Sequence, residues 1–311
     1  MTFKEKILWK KDEFVKHHFP FFWSKHLYKK TMGRVTDFGN LRDLNEKIQW
    51  LMFYTDITLW TTLADKYAVR QYVADKVGED VLVPLLGRWE SAADIDFTLL
   101  PAKFVIKPNN GSYDAVVCTD KSKADFEEIR RKMDYSMHHH FGYENAEPHY
   151  LEITPCIIAE QLLETDAPEG LVDYKIWCFN GKPELFLLCA NRDPITHHAN
   201  LIAYDLSWNK HLEYMADDFK NEATCPKPQN LNEMLRIAEK LSEGLPQARI
   251  DLYNIKGKIY FGEMTMSSNF GMMPYFSDEI LKKMGDLCVL PQRSFKEKVC
   301  TFCKRWLPTF K

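Results

Sequence analysis

Phe104-Val-Ile-Lys-Pro-Asn-Asn-Gly-Ser-Tyr-Asp-Ala-Val-Val117 is two β-prone runs around a polar loop with one glycine and a lysine at its entrance. The pattern predicts a hairpin. Such a loop can lay backbone N–H groups against phosphate oxygens, with Lys107 adding a point charge. Taken alone it is equally an ordinary turn. A second stretch gives it meaning: Arg249-Ile-Asp-Leu-Tyr-Asn-Ile-Lys-Gly-Lys-Ile-Tyr-Phe-Gly-Glu-Met-Thr265 reads as another hairpin, turning at Lys256-Gly257. Asp251 and Glu263 would then be two hard oxygen ligands for a metal held over those phosphates. Strand alternation puts Glu263, Thr265 and Ser267 on one face, with Thr265 or Asn269 as the third ligand. Paired acids on a hairpin are commonly just solvated; the company of Lys107 and Arg249 argues for ligands.

Outward from these hairpins, the first sixty residues read helical, with Leu44, Ile48, Leu51 and Met52 as an apolar stripe. Thr61 to Val77 reads as one helix stopped by Gly78. Val81 to Leu86 reads as a short buried strand, 122–138 as a charged surface helix and 138–150 as an irregular segment rich in His and Glu. Ile157 to Leu163 is an apolar strand carrying Glu160. Asp173–Phe179 and Glu184–Cys189 are strands joined across Asn180-Gly181, a favoured hairpin turn. Asn230 to Leu245 is an amphipathic helix with Asn230 as cap and Glu233 three residues on, close to a capping box. Antiparallel pairs dominate, so the class is α+β.

At 311 residues the chain is long for one core, and two or three subdomains are expected. No apolar run approaches the roughly 20 residues needed to span a bilayer, and the N-terminus shows no signal-peptide core. A cytoplasmic protein is therefore expected. Eight scattered cysteines read as buried thiols; Cys300-Thr-Phe-Cys303 is a single C-x-x-C without a second pair. His138-His-His140 and His197-His198 lack an acidic or Cys partner at ligand spacing. The net charge of −3 is segregated: residues 1–34 carry +6, residues 292–311 carry +5, and the middle −14. Aromatics interleave both basic ends, which suits an anionic membrane surface or, equally, docking of the rings against the body. The acidic middle speaks against nucleic acid.

The order of Ala64-Asp-Lys-Tyr-Ala-Val-Arg70, Lys107-Pro-Asn-Asn-Gly-Ser112, Ile158-Ala-Glu160, Asp173-Tyr-Lys-Ile-Trp-Cys-Phe-Asn-Gly-Lys-Pro183 and Arg249-Ile-Asp-Leu-Tyr253 resembles the ATP-grasp superfamily. More closely, residues 40–275 resemble the TupA-like ATP-grasp group linked to bacterial surface polysaccharides. The resemblance implies an ATP-grasp fold, two α+β subdomains clasping ATP; with the helical pattern and the charge segregation, the expected organisation is a helical extension at 1–60, a catalytic domain at 61–290 and a basic aromatic tail at 291–311. It implies that Lys66, Lys107 and Lys175 neutralise phosphates and that Asn109, Asn110, Gly111 and Ser112 cover them. Lys175 stands where the family often has arginine, and Tyr113 and Asp114 replace small residues. Glu160, Gln161 and Leu162 match the linker that receives adenine, with Glu164 at the ribose. Asp251 and Glu263 would hold Mg²⁺; Glu263-Met-Thr265 departs from the family's common Glu-x-Asn. Arg249 would hold an acyl phosphate or substrate carboxylate, beside Lys175. Arg192, His197 and His198 either line an acceptor pocket or merely turn.

The reaction so implied is ATP-dependent carboxylate–amine ligation through an acyl phosphate, joining an amine to a carboxylate-bearing sugar, with ATP and Mg²⁺ as cofactors; the anionic membrane surface as a further partner rests on the charge segregation alone. Two other readings stand beside it. A kinase of a sugar hydroxyl would use the same nucleotide half, and a catalytically silent scaffold would use only the basic ends.

Overall fold

The computed structural model describes residues 3–112, 114–139, 141–193 and 198–293, with only the backbone of 3–10. Tyr113, His140, His197, Cys300, Cys303 and the tail from 294 lie outside the described residues. The chain opens with α1 (Phe3–His18) and α2 (Pro20–Met32), divided where Pro20 takes the first position of the second helix and needs no N–H. Gly33, at φ 70°, ends α2. Helix α3 (Leu44–Tyr54) starts at Asp43, whose carboxylate accepts from the Glu46 N–H at 3.0 Å. Its expected stripe, Leu44, Ile48, Leu51 and Met52, is buried throughout.

The helix expected over 61–77 is broken. Helix α4 (Thr58–Ala64) stops and α5 (Val69–Val77) starts because the Asp65 carboxylate takes the N–H groups of Tyr67 at 2.8 Å and Ala68 at 3.1 Å. The break frees the Lys66 N–H to reach the Asn109 carbonyl at 3.2 Å. The strand expected at 81–86 also moves: 79–81 is a 3₁₀ turn, and β1 (Leu85–Trp89) begins only after Pro84, which has no N–H for a ladder. The hairpin of β2 (Phe104–Pro108) and β3 (Val116–Cys118) forms as expected. Helices α6 (Phe126–His138) and α7 (Phe141–Glu144) lead to β4 (Ile157–Gln161).

The second half contains β5 (Asp173–Phe179), β6 (Lys182–Ala190), β7 (Asn200–Tyr204), α8 (Leu231–Ser242), β8 (Ala248–Ile255), β9 (Lys258–Thr265) and α9 (Asp278–Leu287). Asn180-Gly181 and Lys256-Gly257 all adopt positive φ, the geometry that two-residue hairpin turns require. The capping box at α8 is not made. The Asn230 amide donates to the Gly257 carbonyl at 2.8 Å, and Glu233 pairs with Arg236.

Two antiparallel sheets result, ordered β1-β4-β2-β3 and β7-β6-β5-β8-β9. Each has its own core. Phe104, Ile106 and Ile157 pack with Ile129 and Met133 of α6, whereas Trp177, Phe186 and Ile250 pack with α3, α8 and α9. Each fully buried aliphatic side chain of α3 contributes on the order of 2 kcal/mol. Helix α3 is thus part of the larger core, and α9 fits against it because a Cβ at Gly285 would meet the Asp43 backbone at 2.7 Å. Among the described residues, six free cysteines are buried, and no helix is long and apolar enough to cross a membrane.

Candidate active site

Three neighbouring strands bring five charged side chains to one face. Register sets Lys175 opposite Asp251 and Asp251 opposite Glu263, with Trp177, Arg249 and Thr265 forming the next row. Asp251 is 1% exposed and accepts from Arg249 Nε and Nη2, each at 2.7 Å, and from Lys175 Nζ at 2.5 Å. Lys175 also binds Asp173 at 2.5 Å; Arg249 Nη2 also reaches Glu263 Oε1 at 2.7 Å, and the Thr265 hydroxyl donates to that oxygen at 3.1 Å. The Arg249 guanidinium lies 5.7 Å from the centre of the Trp177 ring. A buried carboxylate is tolerated here because two cations hold it through charge-assisted hydrogen bonds.

Burial pushes the Asp251 carboxyl up to about 6, against the pull of Arg249 and Lys175. Burial also works to raise Glu263, but Arg249, then Lys175 and Lys66, outweigh it and hold the group at about 2. Glu263 therefore stays ionised, and its Oε2 has no partner among the described residues.

Lys66 joins this cluster to the loop after β2. Its ammonium donates to the Gly111 carbonyl, and burial lowers its pKa while the nearby Glu263 works to raise it. Asn109 is 1% exposed and fully engaged, with its amide on Asp65 at 2.9 Å and Thr154 at 3.0 Å and its oxygen accepting from the Cys156 N–H at 2.7 Å. It builds the loop rather than facing a ligand. Asn110 keeps a buried side-chain oxygen with no partner. Lys107 pairs with Glu160 at 2.6 Å, and Arg70 holds the other Glu160 oxygen at 2.9 Å. Gln161 anchors β4 through its N–H to the Pro84 carbonyl at 3.0 Å, Leu162 follows it, and Glu164 pairs with Lys103 at the surface.

A cavity of about 310 Å³ opens between the two units. Ser112, Lys175, Arg249, Glu263, Thr265 and Asn269 line it, as does Arg192. Glu147 and Tyr150, from the segment read only as irregular, line it too. His198 is exposed, and its carbonyl accepts the Asp193 N–H at 2.8 Å. Asn269, Phe270 and Gly271 run consecutively through positive φ at 45°, 62° and 67°. Two side chains of α3 brace this turn: Gln49 donates to the Phe270 carbonyl at 2.7 Å, and Asn45 accepts from the Met273 N–H at 3.1 Å. Gly271 is required on both counts, since a Cβ there would lie 2.9 Å from Ile48 Cγ2. The Asn269 amide nitrogen is engaged at 2.5 Å by the Met272 carbonyl.

The donor set suits Mg²⁺ held partly by phosphates. Glu263 offers an open oxygen on the cavity and Thr265 a hydroxyl, whereas both Asp251 oxygens are held by Arg249 and Lys175 and would have to exchange a partner to reach the ion.

No curated protein sequence matches this chain. Solved structures are similar in fold. An L-amino acid ligase from Bacillus licheniformis aligns at TM-score 0.44 and 16% identity, over 67% of this chain and 44% of its own. D-cycloserine synthetase DcsG aligns at 0.42 and 18%, over 74% and 70%. D-alanine–D-alanine ligase from Helicobacter pylori aligns at 0.43 and 15%, over 80% and 70%. The chain spans 44% and 54% of the lengths of the first two ligases it matches. The decisive match is to a family profile, described as TupA-like ATPgrasp, over residues 46–289. With its two antiparallel sheets and its ordered Lys, Arg, Asp and Glu positions, the chain belongs to the TupA-like ATP-grasp family and has the ATP-grasp fold.

Proposed function

We propose that this protein is an ATP-dependent carboxylate–amine ligase. The observation that carries the reading is the charged cluster in which Lys175, Arg249 and Glu263, braced by buried Asp251, line a cavity that Ser112 of the loop held by Lys66 also lines. Phosphoryl transfer needs alignment and charge neutralisation more than a dedicated acid or base, and this wall supplies both. Lys66, Lys107 and Lys175 neutralise the phosphates, and Asn110, Gly111 and Ser112 offer the loop's polar groups. Gln161 and Leu162 take the adenine edge with Glu164 at the ribose, and Glu160 orients Lys107. Asp251 and Glu263, with Thr265 or Asn269, would hold Mg²⁺, and the bound ion would supply further charge neutralisation for phosphoryl transfer. Arg249 neutralises the acyl phosphate. By family kinship the carboxylate is a uronic acid of a surface polysaccharide and the amine an amino acid.

Incubation with Mg·ATP and arrays of uronates and amines tests this, following ADP and product mass. ADP that requires both carboxylate and amine supports the ligase. A phosphorylated sugar formed without amine means a kinase, and absence of Mg·ATP binding means a scaffold.

The basic N-terminus is proposed to rest on an anionic leaflet. Phe21 and Tyr28 dock inward, but Phe14 and Phe22 stay exposed beside exposed Lys11, Lys29 and Lys30. Each such cation near the leaflet adds on the order of 1 kcal/mol. Sedimentation with anionic but not neutral liposomes, weakened by salt and by Lys10, Lys11, Lys29 and Lys30 to Glu changes, is expected; equal recovery in both supernatants rules it out.

A further inference from the structure

The cavity has a second wall that the phosphate chemistry does not use. Glu147 is 3% exposed and lines the cavity. Its Oε1 accepts the Ser267 hydroxyl, but its Oε2 is buried with no partner. Ser267 Oγ lies 3.4 Å from Nε2 of His149, itself buried, whose Nδ1 is also unpartnered. The backbone fixes Glu147 firmly: its N–H donates to the Gly142 carbonyl at 2.8 Å, and a Cβ at Gly142 would come within 2.7 Å of its carbonyl. An open carboxylate oxygen in such a place is costly unless a ligand completes it. Arg249 and Lys175 are already held by Asp251, and Glu263, whose charge acts on Glu147, has the same sign.

We propose, resting on the ligase reading above, that Glu147 receives the amine substrate: its free oxygen holds the ammonium group and takes its first proton. An ammonium brings three donors to this unpaired acceptor. The freed nitrogen lone pair attacks the carbonyl carbon of the acyl phosphate. The C–N bond forms, the bond from the acyl carbon to the oxygen bridging to phosphorus breaks, and phosphate leaves with that electron pair and the surplus proton of the nitrogen. Glu147 then returns its proton to solvent. Burial, opposed by the Ser267 hydrogen bond, holds the Glu147 carboxyl up at about 8, so the empty site keeps its proton at neutral pH and gives it to solvent as the ammonium arrives, and the carboxylate so formed is a stronger base than an exposed one. Tyr150 and His149 are the other titratable groups of this wall.

Two nucleophiles separate the steps. Full-length protein, wild type and Glu147→Gln, is given Mg·ATP, glucuronate or galacturonate, and either neutral hydroxylamine or one of glycine, alanine, serine and lysine. Hydroxylamine intercepts an acyl phosphate without an ammonium to deprotonate. In Glu147→Gln, amide formation should fall about 100-fold with a raised KM for the amine, while hydroxamate formation falls far less and the KM for ATP holds. Should the Gln variant not fold, Glu147→Asp, which keeps the acid but withdraws it by one methylene, must show the same split. Equal amide formation by variant and wild type overturns the inference. So does equal loss of amide and hydroxamate in a folded variant. Wild type that yields neither product overturns the ligase reading and takes this inference with it.

Discussion

Each sheet buries one carboxylate under one lysine and one arginine, yet the two clusters differ in what remains open. On the four-stranded sheet, Glu160 gives one oxygen to Arg70 and the other to Lys107, and Arg70 also ties to the Val83 carbonyl at 2.9 Å. That set is closed, and it joins α5, β2 and β4. On the five-stranded sheet, Asp251 likewise holds Lys175 and Arg249, but the chain of charge runs on to Asp173 and Glu263 and ends at an open oxygen on a cavity. A closed set fastens structure, whereas an extended one can trade partners with a ligand. The difference leaves charge open to a cavity at the second sheet, while at the first Glu160 fixes Lys107 in place, even though both began as the same residue types.

The largest test of that contrast is Arg249→Ala. It leaves Asp251 buried with Lys175 alone, so both a stability loss of about 3–5 kcal/mol in denaturant titration and loss of turnover are expected. Retained stability would mean that Asp251 relaxes on its own. Glu263→Ala comes next. Its side chain is 40% exposed, so the melting temperature should barely move while turnover falls at least about 100-fold. Glu160→Gln should reverse the balance: roughly 1–3 kcal/mol of stability lost in the closed set, with turnover falling less than in Glu263→Ala. A Glu160 variant that matches Glu263→Ala in lost turnover would erase the distinction between the two clusters.

Smaller effects come from pH. Glu147 has its pKa raised from 4.5 to about 8, so the folded state keeps a proton that the unfolded chain releases, and stability falls as pH climbs through that window. His149 is held by burial near 3 rather than 6.5, so stability also falls as pH drops from 6.5. A melting-temperature profile should therefore be domed, and Glu147→Gln should flatten its alkaline side only.

Local patterns in the sequence carried both hairpins, because alternation and the Asn180-Gly181 and Lys256-Gly257 turns are signals within a few residues. The row of Glu263 and Thr265 was legible for the same reason. What escaped depends on partners far along the chain. The break at Asp65 became visible only with Asn109 beside Lys66. Glu147 gains meaning from Ser267, 120 residues later, and Asn45 and Gln49 from the left-handed turn at 269–271. Asn45 and Gln49 lie beside the apolar stripe of α3, a pattern that by itself speaks only of packing. At Asn230 a longer-range bond displaced the local cap: its amide reaches Gly257 instead of its own helix.

The most direct test of the central claim follows an oxygen atom. A uronate that supports turnover is labelled with ¹⁸O in its carboxylate and incubated with the enzyme, Mg·ATP and the amine, and the released phosphate is weighed by mass spectrometry. Ligation through an acyl phosphate moves one ¹⁸O into each inorganic phosphate; unlabelled phosphate, or phosphate retained on the sugar, contradicts it.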